Sequence, residues 1–570
     1  MPPILRLVPV LPALALAACA TQAPLPPAVA ASSVPSAVSG QSAYGLFLAG
    51  QSAINGGMGG EAAGYFARAA DAADGADTPL LQGRTFTAAL LAGDVKQAAA
   101  IAPIADTDPA TRQLAGLTLA VEDMTGGQGG KARALLVGVG APHAAAAALL
   151  TPLAAAEAGN DEAAIGLPVF DGDPVATFFA GLDQGIIFEH LRRFDEAETA
   201  FRALIEKGDP GAVATINLGA FLERRGRWAD ALATYNQALA RVPGDPALLA
   251  DKARAESRRG APALAGFRET AAEALTGAAS VLIVKKEEEP ALAYLRLALR
   301  LDPNQESAWL LVGDILSDIG DKEGARTAYL SPKPGAPDFV AARGKLAWSY
   351  QGDGMKDQAL DVARGALAAE PDSSDAATTL ADLLRADERY DESAQILDKL
   401  IAQEGEAPDW RLLYMRAVDY QESDHWPEAE RDLTLALKQR PDEPELLNFL
   451  GYSWIDRGEK LHEALGMVQK AVDTNPHSGA MIDSLGWGYY RLGDYKTAVD
   501  KLEQAVALEA GDPDVNNHLG DAYWRVGRRV EARFQWNRVL TLEPDPKLKT
   551  EVETKIRDGL GPIPTPLSGS

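Results

Sequence analysis

One cysteine, Cys19, in 570 residues excludes any internal disulfide. Six histidines are too few and too scattered for a histidine-rich metal site: His143, His190, His425, His462, His477 and His518. His462-Glu463 opens like the zinc-protease motif HExxH, but Gly466 stands where the second histidine must face the metal from the same helical side. TGGQGGKA at 125–132 lacks the leading glycine of a phosphate loop, and Ala132 replaces the hydroxyl that would reach Mg²⁺. Basic residues are also short, 54 Lys and Arg against 80 Asp and Glu, a net charge of −26. Nucleic acid is excluded as the main partner, because phosphate binding is driven by clustered cations. No serine, cysteine or lysine sits in a local nucleophile motif, and the many carboxylates read as solvated helix faces. The chain therefore reads as a non-enzyme without metal or cofactor.

What is present begins at the N-terminus. Residues 1–18, MPPILRLVPVLPALALAA, carry one charge, Arg6. The run is short of the about 20 apolar residues a spanning helix needs, and Pro9 and Pro12 interrupt it. It reads as a signal peptide. Leu16-Ala17-Ala18-Cys19 resembles the lipobox of bacterial lipoproteins, which implies cleavage before Cys19 and a covalent lipid on it. That use accounts for an unpaired thiol in an exported chain. Several acyl chains hold firmly where one gives only marginal anchoring. Ala20 is not the aspartate that retains such lipoproteins at the inner membrane, so the resemblance implies the outer membrane, periplasmic face. Residues 19–41, rich in Pro, Ala and Ser, read as a tether, and 559–570 as a disordered tail.

The body of the chain repeats. Gly451, Gly486 and Gly520 are spaced by 35 and 34 residues, and Ala464, Ala498 and Ala532 by 34 and 34. A 34-residue unit with Leu-Gly in a first helix and Ala in a second is the tetratricopeptide pattern. This predicts an all-α, right-handed superhelical solenoid of antiparallel helix hairpins. The phase continues upstream through units beginning near 410, 374, 340, 306 and 272. It appears again at 178 and 212, where Gly185 and Gly219, like Ala197 and Ala231, are 34 apart. Between 246 and 271 one unit is eight residues short, which predicts a local kink. The resulting layout is a first array at 178–271, a second at 272–546, and a closing helix at 547–558. Residues 42–177 match the unit only through Gly50, Ala62, Phe66 and Ala69, and otherwise read as degenerate Ala-rich helical hairpins.

In this repeat the first helix lines the concave side, with positions 2, 5, 9 and 12 facing the groove. In the last three units these positions hold Glu445, Asn448, Tyr452 and Ile455; Ala480, Asp483, Trp487 and Tyr490; and Asp514, Asn517, Asp521 and Trp524. Tyr452, Asp483, Trp487, Tyr490, Asn517, Asp521 and Trp524 form the predicted partner-binding groove, since Tyr and Trp supply contact area at low entropic cost. Chaperone-binding members of the repeat family clamp a terminal carboxylate with Lys and Arg at groove positions. Their absence here favours an extended polypeptide or a basic or mixed protein surface.

Lipobox, tether and the segments LGYSWIDRG, DSLGWGYYRLGDY and HLGDAYWRVGR together resemble a group of large bacterial lipoproteins of this repeat class. Some are outer-membrane adaptors that present cell-wall hydrolases to a carboxy-terminal processing protease. The resemblance implies a scaffold for periplasmic proteins, a processing protease and wall hydrolases among them. An assembly lipoprotein for exopolysaccharide export or a pilus secretin is the alternative.

Overall fold

The computed structural model describes residues 42–561 apart from 56–57, 73–77, 104–106, 171 and 406–407. The signal peptide, Cys19, the tether and the tail from 562 onward lie outside the described residues. Among the described residues the chain is all helix, thirty α-helices with one 3₁₀ turn and no strand. It divides into two compact units, residues 29–376 and 377–570.

Most helices pair with the next one as antiparallel hairpins, and the repeat residues show why. Gly50, Gly185, Gly219, Gly313, Gly451, Gly486 and Gly520 each lie under one side chain of the following helix. These are, in order, Phe66, Phe201, Tyr235, Tyr329, Val468, Leu502 and Trp536. A β-carbon on any of these glycines would stand 2.2–2.7 Å from that side chain. The crossing is closed to anything larger, since overpacking a filled core costs about 1–3 kcal/mol. The second small residue of each pair, Ala62, Ala197, Ala231, Ala325, Ala464, Ala498 or Ala532, is buried in the same crossing. Helix starts are set locally. Asp173, Asp245, Asp512 and Asp545 accept N-cap hydrogen bonds, each followed by a proline whose missing N–H costs nothing there.

The unit 29–376 departs from a simple stack. Helix Pro246–Ser257 lacks the hairpin partner of its own repeat. The chain runs without helix through 259–266, held by Ala265 O on His190 Nε2 (2.7 Å) and by Arg224 donating to Pro262 O (3.2 Å). It then re-enters older structure. Helix Phe267–Val284 packs on Ala144–Glu157 and Pro174–His190, and helix Glu288–Leu301 on Thr78–Leu91 and Pro109–Thr125. The space over Gly277 is filled by Phe179, from a helix about a hundred residues earlier, whose ring would lie 2.1 Å from a β-carbon there. Tyr294 Oη meets His143 Nδ1 at 2.8 Å, Arg296 donates to Leu91 O at 3.0 Å, and Arg300 pairs with Glu122.

The shortened unit is thus an extended return rather than a kink. One apolar core collects residues from 53–187 and 271–346, while 182–255 hold a second core of their own. The reason is composition. Helix Ala144–Glu157 is apolar nearly all round and buries eight side chains, so it needs neighbours on several sides.

In the unit 377–570 the order is regular. Hairpins at 410–439, 444–474, 479–508 and 513–540 stack in sequence, and helix Pro546–Asp558 covers the last. Trp536, fully buried, centres the terminal core with Leu502, Leu519, Val539, Leu548 and Val552.

Candidate functional site

The first helices of the last three hairpins and the closing helix bring their polar residues together in a cleft of about 370 Å³. It is lined by Tyr452, Asp456 and Arg457, by Trp487, by Asp514, Asn517, His518 and Asp521, and by Lys547, Leu548 and Glu551, with Gln421, Glu422 and Asp424 at one side. Of the predicted groove residues, Tyr452, Trp487, Asn517 and Asp521 line it; Asp483, Tyr490 and Trp524 stand behind or beside it.

Asp483 supports the wall. Its Oδ2 lies 2.8 Å from His518 Nδ1 across the boundary between two repeats, and both side chains are buried. His518 stacks on one face of Trp487 (centroids 4.2 Å apart, 16° between planes), and Tyr490 stacks on the other (4.5 Å, 9°). Trp487 is therefore clamped with both faces occupied. Among the described residues its indole Nε1–H, sealed from solvent, has no acceptor, and Gln421 Oε1, also sealed, has no donor. Burial opposes the charge on His518, but Asp483 in contact, with Asp514 and Asp521 nearby, outweighs it and pushes the pKa up to about 9. Burial raises Asp514 to about 7, partly offset by His518. The Tyr452 hydroxyl is held well above its ordinary value by burial and by Asp483, Asp456 and Asp514.

The closing helix occupies the far end of the groove. Lys555 Nζ donates to Asn517 Oδ1 (2.9 Å) and Asp521 Oδ2 (2.8 Å) and pairs with Glu551 (2.6 Å). Asp521 Oδ1 accepts from Trp536 Nε1 at 3.0 Å. Burial works against the ammonium, but Asp521 and Glu551 hold its pKa above the ordinary lysine value. Trp524 is covered too. Its Nε1 donates to Leu560 O (3.2 Å), Gly559 lies against its ring, and Arg529 stacks over it at 3.8 Å. Tyr490 Oη accepts from Arg525 Nε at 3.2 Å. Asn517, Asp521, Tyr490 and Trp524 thus already have partners inside the chain.

Residue spacing along single helices pointed to two aromatics that line this cleft, Tyr452 and Trp487, and to two that do not, Tyr490 and Trp524; it did not point to His518, Asp456, Lys547, Glu551 or Lys555. His518 follows groove position Asn517 directly, and that adjacency was the one available signal. Lys547, Glu551 and Lys555 belong to a helix outside the repeat, so no groove position pointed to them. They also bring cations to a groove whose own repeat positions carry none.

A second cleft, of about 1180 Å³, lies in the first unit and is mainly apolar, with Leu167, Phe170, Phe178, Phe179, Leu204, Val281 and Val284 among its walls. None of the predicted groove residues lies there. Among the described residues no group of three His, Cys, Asp or Glu is placed to hold a metal ion, and no helix is long and apolar enough to cross a membrane.

Comparison with known proteins bears on the repeats. The family described as "Tetratricopeptide repeat" matches residues 182–246, 350–417 and 414–478, and that described as "TPR repeat" matches 488–527. The chain is 28% identical over 217 residues to TPR repeat-containing protein PA4667 of Pseudomonas aeruginosa, covering 38% of this chain and 36% of that one. It is 27% identical over 282 residues to cellulose synthase operon protein C of Pseudomonas fluorescens, covering 48% of this chain and 20% of that one. The chain spans about a third or less of these relatives' lengths. A solved tetratricopeptide repeat protein from Parabacteroides merdae aligns with half of this chain and 99% of its own, at 14% identity and a TM-score of 0.36.

Proposed function

We propose, from the premise that the chain belongs to the tetratricopeptide-repeat proteins, that it is a lipid-anchored scaffold presenting periplasmic proteins to one another. The observation that carries this is the C-terminal cleft. Successive repeat helices place aromatic and carboxylate side chains around an open hollow. An arrangement of this kind is suited to gripping a polypeptide. Within this reading the lipid on Cys19 fixes the array at the outer membrane. The partners are a carboxy-terminal processing protease and the cell-wall hydrolases it degrades.

A second reading, an assembly protein for an envelope polysaccharide machine, draws support from the similarity to a protein named for a cellulose synthase operon. One experiment separates them. The tagged full chain is cross-linked in intact cells, and the partners are identified. A processing protease together with wall hydrolases would carry the adaptor reading; components of a polysaccharide-export pore would replace it with the assembly reading. The anchor is tested separately, by fractionation of Cys19→Ser, which is expected to move the chain from the membrane to the soluble fraction.

A further inference from the structure

We propose that the C-terminal cleft takes a lysine or arginine side chain from an extended segment of its partner. The inference rests on the scaffold reading of this cleft and specifies the chemistry it selects.

Charge comes first. Glu422, Asp424, Asp456, Asp514, Asp521 and Glu551 line the hollow against Arg457, Lys547 and His518. Asp521 and Glu551 already share Lys555, and Asp456 lies 3.9 Å from Arg491. Glu422, Asp424 and Asp514 have no ion-pair partner among the described residues. Asp514 is the deepest of these three, and a carboxylate in such a place gains most from an incoming cation.

The molecule supplies its own precedent one repeat further along. There Lys555, nearly buried, is accommodated by Asn517 and Asp521, residues at groove positions 5 and 9. The groove surface can therefore strip water from an ammonium and replace it with oxygen ligands. The open hollow offers the same ingredients in Asp514, Asp456 and the hydroxyl of Tyr452. No protein group bonds that hydroxyl among the described residues.

The Trp487 ring, clamped between His518 and Tyr490, gives the hollow one rigid wall. Size agrees. About 370 Å³ sits at the lower end of the roughly 300–1,000 Å³ of ordinary ligand clefts, enough for one long side chain with its flanking peptide groups and too little for a helix.

The test uses the full chain in detergent and fluorescein-labelled Gly/Ser nonapeptides whose central residue is Arg, Lys, norleucine or Glu, read by fluorescence anisotropy. The Arg and Lys probes are expected to bind at least about ten-fold tighter than norleucine, with Glu weakest. Asp514→Asn is expected to bring the Arg probe down to the norleucine level. Far-UV dichroism and the melting curve confirm that the variant is folded. Equal binding of Arg and norleucine probes, absence of binding by all four, or indifference of the Arg probe to Asp514→Asn would overturn the proposal. Cross-linked partner capture that survives in Asp514→Asn but is lost on a wider lesion of the cleft would overturn it too, while sparing the scaffold reading. Capture indifferent to every cleft lesion would remove the scaffold reading from this site.

Discussion

The Ala-rich half of the first unit and the repeats of the second satisfy most of their buried polar groups differently. Around residues 78–157 and 267–301, the His143–Tyr294 contact apart, the buried hydroxyls serve their own helices: Thr85, Thr118 and Thr276 each donate to the carbonyl four residues earlier. Such groups are satisfied without neighbours, so the helix faces that meet can be apolar, and they meet without regard to chain order. In residues 479–558 the buried polar groups reach across repeats, Asp483 to His518 and Asp521 to Lys555. Apolar faces are interchangeable and allow a distant helix to return; paired polar faces recognise one neighbour and keep the stack in order. The second kind of surface also leaves room for a partner's polar groups.

Four experiments would break or sharpen this contrast. The largest effect is expected from Trp536→Ala, which empties the space over Gly520 and frees Asp521 Oδ1. A loss of about 3–5 kcal/mol should appear in denaturant unfolding, with hydrogen exchange rising in 479–558 and not in 78–157. Next is Lys555→Met, which leaves Asn517 Oδ1 and Asp521 Oδ2 buried without their donor at a cost of about 3 kcal/mol. Lys555→Met combined with Asp521→Leu should recover only part of it, since the Trp536 indole then loses its acceptor, and the residual non-additivity is one that a merely packed lysine would not show.

The third probes pH at the cleft. Asp514, near 7 when the cleft is empty, faces Asp512, His518 and Asp521 on its own side, Asp483 and Tyr452 from the neighbouring repeats, and Asp545 and Lys547 from the closing segment. A bound cation favours its ionised form. Binding should therefore strengthen several-fold from pH 6 to pH 8 with release of a proton, and Asp514→Asn should flatten that profile, both measurable by calorimetry.

The smallest effect belongs to the first unit. Asp183 is buried with Oδ2 unpartnered, and burial, aided by Glu273, holds its pKa well above the ordinary carboxylate value. Because the folded pKa lies above the unfolded one, the cost is absent below about pH 4 and grows as pH rises toward the folded value. Asp183→Asn is thus expected to raise the melting temperature modestly at pH 7 and to leave it unchanged at pH 3.

Much of this was legible along the chain. Gly486 and Gly520, 34 residues apart, announced hairpins that cross closely, and Ala498 and Ala532 their second contact; both hold because the crossing forbids a β-carbon. Trp487 was found from its groove position, but its clamp was not. His518 comes from the next repeat, Tyr490 from the next turn, and periodicity within one helix cannot say which side chains stack across a boundary. Trp524 shows the converse. It occupies a groove position by spacing, yet Gly559 and Leu560 cover it, residues that no repeat register includes.

The sequence by itself determined the all-helical hairpins, their 34-residue phase and the capping aspartates. Each depends on sterics and hydrogen bonds among residues close in the chain. Only the tertiary structure decided that helix Phe267–Val284 returns to Ala144–Glu157 and Pro174–His190, and that Lys555 fills one end of the groove while the hollow beside Asp514 stays open. Those outcomes turn on which apolar face finds a complementary one, and on which buried charge finds an opposite charge. Both choices are made between residues tens to more than a hundred positions apart, where spacing in the chain carries no information about contact.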